Sequence, residues 1–188
     1  NPAMQMCYVE VEEPDMHKPL GDLDRLKDQL ETDWGITDLL VSQHILPQVQ
    51  QTLRQGKWAV TAAIHRDLDS SRPPLIALYP GLKNEAYGIA CDIGSTTIAM
   101  HLSSLLSGRT IASSGTSNPQ IRFGEDLMSR VSYVMMNPDG RSAMTDAVRA
   151  TLNDLIDEVC ETANIERTDV LDMVFVGNPV MHHLFLGI

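Results

Sequence analysis

The stretch from Tyr87 to Ser113 limits the fold most, because it reads as three strands joined by turns too short to hold anything else. Ile89, Cys91 and Ile93 alternate with Gly88, Ala90 and Asp92, the period of a strand. Thr97 to Leu105 is a second apolar, β-branched run, and Ser107-Gly108 turns it into a third strand, Thr110 to Ser113. An antiparallel meander is expected, with Asp92 at the end of its first strand. Between the first two strands lies Asp92-Ile93-Gly94-Ser95-Thr96-Thr97. Gly94 has no Cβ, so backbone can approach a ligand there. A turn rich in N–H and hydroxyl donors suits a phosphate. A carboxylate beside it suits the magnesium that accompanies a nucleotide phosphate, commonly through water. Buried without a partner, the Asp92 charge would be costly, so it makes sense facing a wet cleft. An ordinary polar hairpin turn uses the same residue types, and the six residues alone favour that plainer reading. Their neighbours decide between the two.

A length of 188 residues allows one large domain or two small ones, and 43% hydrophobic residues suffice to bury a core. The net charge of −11 argues against a nucleic-acid footprint and disfavours an anionic membrane surface. No apolar run is long enough to span a bilayer and no signal peptide is recognisable. The chain begins at Asn1 rather than Met, which suggests a piece of something longer. Cys7, Cys91 and Cys160 stand far apart and no C-x-x-C occurs, so a cluster or zinc site within the chain is not expected. Cys91 and Cys160 fall at apolar positions as buried thiols, and the pattern suits a reducing cytoplasm.

Residues 1–21 read as a linker or edge segment. Tyr8 to Glu12 alternates like a strand before Pro14, Pro19 and Gly21 interrupt it. Residues 22–84 suit a small α/β domain. Asp22 can cap a helix with Leu23, Leu26 and Leu30 on one face. A second helix is expected from near Thr37, with Pro47 restarting a helix at its first turn, Val49 and Leu53 on its apolar face, and Gly56 at its end. Trp58–Ile64 and Leu75–Tyr79 read as strands. His44 and His65 have no partner at metal-ligand spacing and read as structural.

After the meander, Asn118 to Asp126 leads into a helix with Leu127, Met128, Val131, Val134 and Met135 at helical spacing, which predicts that these methionines lie in the core. A long amphipathic helix follows, with Met144, Val148, Leu152, Leu155, Ile156 and Val159 as one stripe. Val170 to Val176 reads as a buried strand, parallel to the first strand of the meander. It ends at Gly177-Asn178-Pro179, where Asn178 can cap the next helix and Pro179 suits its first position. Such a turn presents N–H groups to a cleft, or simply connects strand to helix. His182 and His183 are adjacent and point about 100° apart on a helix, poor geometry for one metal.

The turn at 92–97 resembles the first phosphate loop of the actin-like ATPase superfamily, where the Asp ends the first strand of a ribonuclease-H-like domain. Three stretches sharpen the resemblance: YGIACDIGSTTIA (87–99), NPQIRFGEDLMSRVSY (118–133) and VFVGNPVMHHLFLGI (174–188). Together they resemble the reductive activators of corrinoid proteins, which join a plant-type [2Fe–2S] ferredoxin, a linker, a small middle domain and an actin-like ATPase domain. The resemblance implies an α/β chain: a middle domain over 22–84, then over 85–188 the first half of an actin-like ATPase domain with a mixed sheet. The second phosphate motif, the adenosine motif and the ferredoxin cysteines of that family have no counterpart here, so no cofactor is expected within this chain alone.

What the resemblance implies is ATP-driven reduction of a Co(II) corrinoid protein of a methyltransferase system to Co(I). Electrons would come from a [2Fe–2S] domain outside this chain, and a homodimer is left open. Asp92 would help hold magnesium and act as the catalytic carboxylate. Gly94, Ser95, Thr96 and Thr97 would contact phosphates, with Gly177 and Asn178 at the cleft. Gln120, Gly124, Glu125 and Asp126 belong to the family signature without an assigned role. Two alternatives stand beside this reading: an actin-like kinase of small metabolites, and a non-catalytic module that binds a corrinoid protein. A related activase class serving 2-hydroxyacyl-CoA dehydratases holds a [4Fe–4S] cluster, and its cysteine pattern is not seen.

Overall fold

The computed structural model describes residues 3–66 and 72–188, and these divide into two units, residues 3–66 and 72–86 with 105–108, and residues 87–104 with 109–188. In the first unit, strands β1 (Met4–Glu10), β2 (Leu40–Val41), β3 (Ala59–His65) and β4 (Pro74–Pro80) form a sheet in the order β1-β3-β4-β2. Only the β2–β4 pair is parallel. The segment 1–21 thus supplies an edge strand. Helices α1 (Asp22–Trp34) and α2 (Leu46–Gln55) close the core, where Leu26, Leu30, Val49 and Leu53 meet Cys7, Val60, Ala62 and Ile64.

Two local expectations fail here. Gly21, not Asp22, is the N-cap of α1; Asp22 lies inside the first turn, where its charge is favourable, and pairs with Arg54 at 3.1 Å. No helix starts near Thr37. The chain forms β2 and then enters α2 at Leu46, with Pro47 in the first turn. A proline lacks the N–H an inner turn needs, so a helix can begin at Pro47 but not run through it.

The second unit carries β5 (Tyr87–Ile93), β6 (Thr97–Ser104), β7 (Thr110–Ser117) and β8 (Val170–Gly177) in the order β7-β6-β5-β8. β5, β6 and β7 form the antiparallel meander, and β8 lies parallel to β5. The crossover passes through α3 (Leu127–Met136) and α4 (Gly140–Ala163), and α5 (Pro179–Leu186) follows β8. The stripe Met144, Val148, Leu152, Leu155 and Val159 is buried against Ile89, Cys91, Ile93, Ile98, Met100 and Leu102, with Ile156 partly buried beside it. Each such side chain contributes about 1.5–3 kcal/mol.

Two expectations about burial are corrected. β8 is parallel as expected but is not a buried strand, for Val174 is 55% and Val176 52% exposed. It is the outer strand, and these valines share the open face with Ala90 and Asp92 while Phe175 turns to the core and meets Phe185. In α3, Met128 is 71% and Met135 82% exposed, whereas Arg130 is fully buried. A charged residue occupies the inward position, so the helix is rotated from the orientation its apolar residues suggest, and Leu127 and Val134 are only partly buried.

Candidate functional site

The β5–β6 turn is built by its carbonyls. Gly94 N–H donates to the Thr97 carbonyl at 3.0 Å, and a Cβ on Gly94 would lie 2.6 Å from that oxygen, so the turn itself requires glycine. The Gly94 carbonyl accepts from Asn118 Nδ2 at 2.8 Å, that of Ser95 from Arg130 Nη2 at 2.5 Å, and that of Thr96 from the Asn118 N–H at 2.8 Å. All four carbonyls from Gly94 to Thr97 are therefore held from within the protein. Among the described residues, the N–H and hydroxyl groups of Ser95 and Thr96 and the hydroxyl of Thr97 have no partner.

Asp92 stands on the open face of β5, between Ala99 of β6 and Val176 of β8 in register. It is exposed and, among the described residues, its side chain has no hydrogen bond or ion pair. Ile93 is in register with Gly177, so the parallel strands β5 and β8 end side by side. The carboxyl ends of such strands are the customary place for ligands in α/β sheets. A Cβ on Gly177 would lie 2.9 Å from the Ile93 carbonyl, and glycine permits that approach. Asn178 caps α5, its side-chain oxygen accepting from Met181 N–H at 3.0 Å, and Pro179 opens the helix. The structure thus brings Asp92, Gly94, Ser95, Thr96, Thr97, Gly177 and Asn178 to one end of one sheet. Of the four residues expected to contact phosphate, Gly94 has its N–H already engaged.

Sequence reasoning left out the residues that hold this end together. Asn118 and Arg130 are buried, and both reach the sulfur of Met181, at 3.7 Å and 3.5 Å. Arg130 Nε also donates to the Gly124 carbonyl at 2.9 Å. Burial pulls the Arg130 guanidinium below the usual arginine range, partly offset by the Asp126 charge. Asp126 caps α3 through Ser129 N–H at 2.7 Å, and hydrogen bonds from Ser129 hold its carboxyl below the ordinary value. Gln120 is buried and donates to the Met144 carbonyl at 3.1 Å, and Glu125 is exposed. A Cβ on Gly124 would lie 2.7 Å from the Arg130 backbone nitrogen. The signature 118–130 is thus the scaffold of the turn. A polar residue at a periodic apolar position, Arg130, was the available signal.

The donor set fits the phosphates of a nucleotide, with unpaired N–H and hydroxyl groups facing out and a free carboxylate beside them for a hydrated cation. It does not fit an iron–sulfur cluster. Cys7, Cys91 and Cys160 are buried free thiols, and burial pushes Cys7 and Cys91 up to about 11. Among the described residues no cluster of His, Cys, Asp and Glu could hold a metal, and no helix is long and apolar enough to cross a membrane.

Comparison with known proteins identifies the family. The chain is 38% identical over 100 residues to the corrinoid activation enzyme RamQ of Eubacterium limosum, covering 53% of this chain and 17% of RamQ. It is similar to a solved structure titled reductive activator for corrinoid, iron-sulfur protein, with a TM-score of 0.81 and 32% identity over 99% of this chain and 29% of that one. The chain thus spans less than a third of the length of either relative. A family model described as the RACo linker region matches residues 1–85, and another described as the RACo middle region matches residues 87–188. Matched along nearly its whole length by these two models, the chain belongs to the RACo family, the reductive activators of corrinoid proteins that its three motif stretches resemble.

Proposed function

We propose that this chain supplies the first phosphate-binding half of an ATP site in a protein that reductively activates a corrinoid protein. The observation that carries the reading is the turn at Ser95-Thr96, with every carbonyl held inward and its donors left free beside the unpartnered Asp92. Ser95, Thr96 and Thr97 would contact phosphate oxygens, and Asp92 would orient a magnesium ion through water. Gly177 and Asn178 would form the neighbouring wall of the cleft. The relatives' names support corrinoid activation as the process served.

In the full-length protein, ATP binding would favour the conformation in which an electron donor and the corrinoid approach each other, carrying Co(II) to Co(I). A ligand shifts such an equilibrium only by its differential affinity for the two states. The donor on this reading is a [2Fe–2S] domain outside residues 1–188, and the corrinoid protein is the partner, serving a methyltransferase. The test is MgATP-dependent corrinoid reduction by full-length wild type and Asp92→Asn. Asn keeps the shape and removes the charge, and loss of a metal-orienting carboxylate costs about 10–100-fold. ATP turnover and corrinoid reduction should fall together by that factor while thermal melting changes little. Wild-type turnover in a folded Asp92→Asn protein would remove Asp92 from the site.

A further inference from the structure

We propose that Arg130, assisted by Asn118, is the positioning residue that turns the N–H groups of Ser95 and Thr96 toward the phosphates, a role that rests on the nucleotide reading above. In a trans peptide, the carbonyl of one residue and the N–H of the next point in opposite directions. Asn118 Nδ2 draws the Gly94 carbonyl inward at 2.8 Å, which aims the Ser95 N–H outward. Arg130 Nη2 draws the Ser95 carbonyl inward at 2.5 Å, which aims the Thr96 N–H outward. The Asn118 N–H does the same to the Thr96 carbonyl. Neither side chain touches the ligand; each acts through one peptide plane.

The choice of arginine follows from the acceptors. Nε meets the Gly124 carbonyl, Nη2 the Ser95 carbonyl and Nη1 the Met181 sulfur, three directions that a planar fork satisfies at once and a lysine ammonium does not. Among the described residues no carboxylate comes within ion-pair distance of this fully buried guanidinium, and Asp126 offsets its burial only in part. A buried cation without an ion-pair partner is a poor device for stability alone. Placed one peptide behind outward N–H groups, it favours an anion in front of them.

The experiment measures the affinity of full-length protein for MgATP and for adenosine in wild type, Arg130→Lys, Arg130→Met and Asn118→Asp. Asn118→Asp keeps the oxygen that accepts from Gln120 N–H and replaces the donor to the Gly94 carbonyl. MgATP affinity should fall about 10–100-fold in each variant, by analogy with outer-shell partners of metal ligands. Adenosine lacks the phosphates, so its affinity should not change. A folded Arg130→Lys or Asn118→Asp protein with wild-type MgATP affinity overturns the proposal, as does an equal loss of adenosine binding, which would mark a general structural role. Wild-type protein that binds adenosine or corrinoid partner but no MgATP would instead overturn the nucleotide reading, and this proposal with it. Should Arg130→Met fail to fold, the other two variants decide.

Discussion

Each unit buries one arginine and uses it to hold backbone carbonyls, but the two do different things. Arg25 in the first unit donates to the carbonyls of Glu13, Lys18 and Leu20, all in the segment just before its own helix. It ties down a nearby loop. Arg130 reaches back to Ser95 and forward to Met181, joining stretches 35 and 51 residues away. In the first unit the inner polar groups also satisfy one another: Thr61 hydroxyl donates to the Gly81 carbonyl and accepts from Lys83 N–H. In the second, the carbonyls are satisfied and donors are left over at Ser95 and Thr96. The same chemistry closes one structure and leaves the other with outward-facing donors, and it is on these donors that the proposed nucleotide site rests.

The largest effects that would test this contrast are in the two cores. Leu30→Ala in the first unit and Met144→Ala in the second should each cost about 2–5 kcal/mol. Denaturant titration should show each variant lowering its own unit's transition; a shift of both together would mean that the units unfold as one. Arg25→Met should cost about 1–3 kcal/mol, the penalty of stranded carbonyls, and leave MgATP affinity untouched. An MgATP defect in that variant would erase the distinction between the arginines.

A smaller effect is expected in ligand-induced stabilisation. MgATP at 100 times the wild-type Kd should stabilise wild type and Arg25→Met by about 2.7 kcal/mol. For Arg130→Met, weakened about 10–100-fold, the same concentration should add only about 0.4–1.4 kcal/mol. Differential scanning calorimetry with and without ligand reads this directly. The smallest effect at neutral pH concerns Cys7 and Cys91, one in each core, both raised by burial to about 11 from 9.0. The unfolded thiols ionise first as pH rises, so stability should fall between about pH 9 and 11, by up to about 1.4 kcal/mol per pH unit for each thiol. Here the units should behave alike, and Cys7→Ala and Cys91→Ala should each flatten the alkaline limb.

Periodic features were legible in advance. The meander of β5, β6 and β7, the stripe of α4, and the cap and proline that open α5 follow from alternation, from 3.6-residue spacing and from local hydrogen bonding, all readable in a single stretch. What could not be read depends on which neighbour covers a face. Val170 to Val176 is apolar enough for burial, yet as the outer strand it exposes Val174 and Val176. Met128 and Met135 fit a core stripe, yet Arg130 takes the inward direction because the Ser95 and Gly124 carbonyls wait there. Asn118 caps the short turn that follows it, a local role, but its amide also serves Gly94, 24 residues earlier. Turn chemistry is local; the partner of a buried donor is not.

The sulfur of Met181 has a consequence for how the chain comes together. Asn118 and Arg130 both converge on it, across 63 and 51 residues, so their surroundings are incomplete until α5 has docked. The meander needs only close neighbours in sequence and can form while the ribosome is still extending the chain; contacts of long separation come later. A guanidinium leaves water only when all its acceptors are assembled. On that view the turn at residues 94–97 takes its final form only after α5 has docked, and slow docking of α5 is expected to give a folded sheet whose turn is still loose.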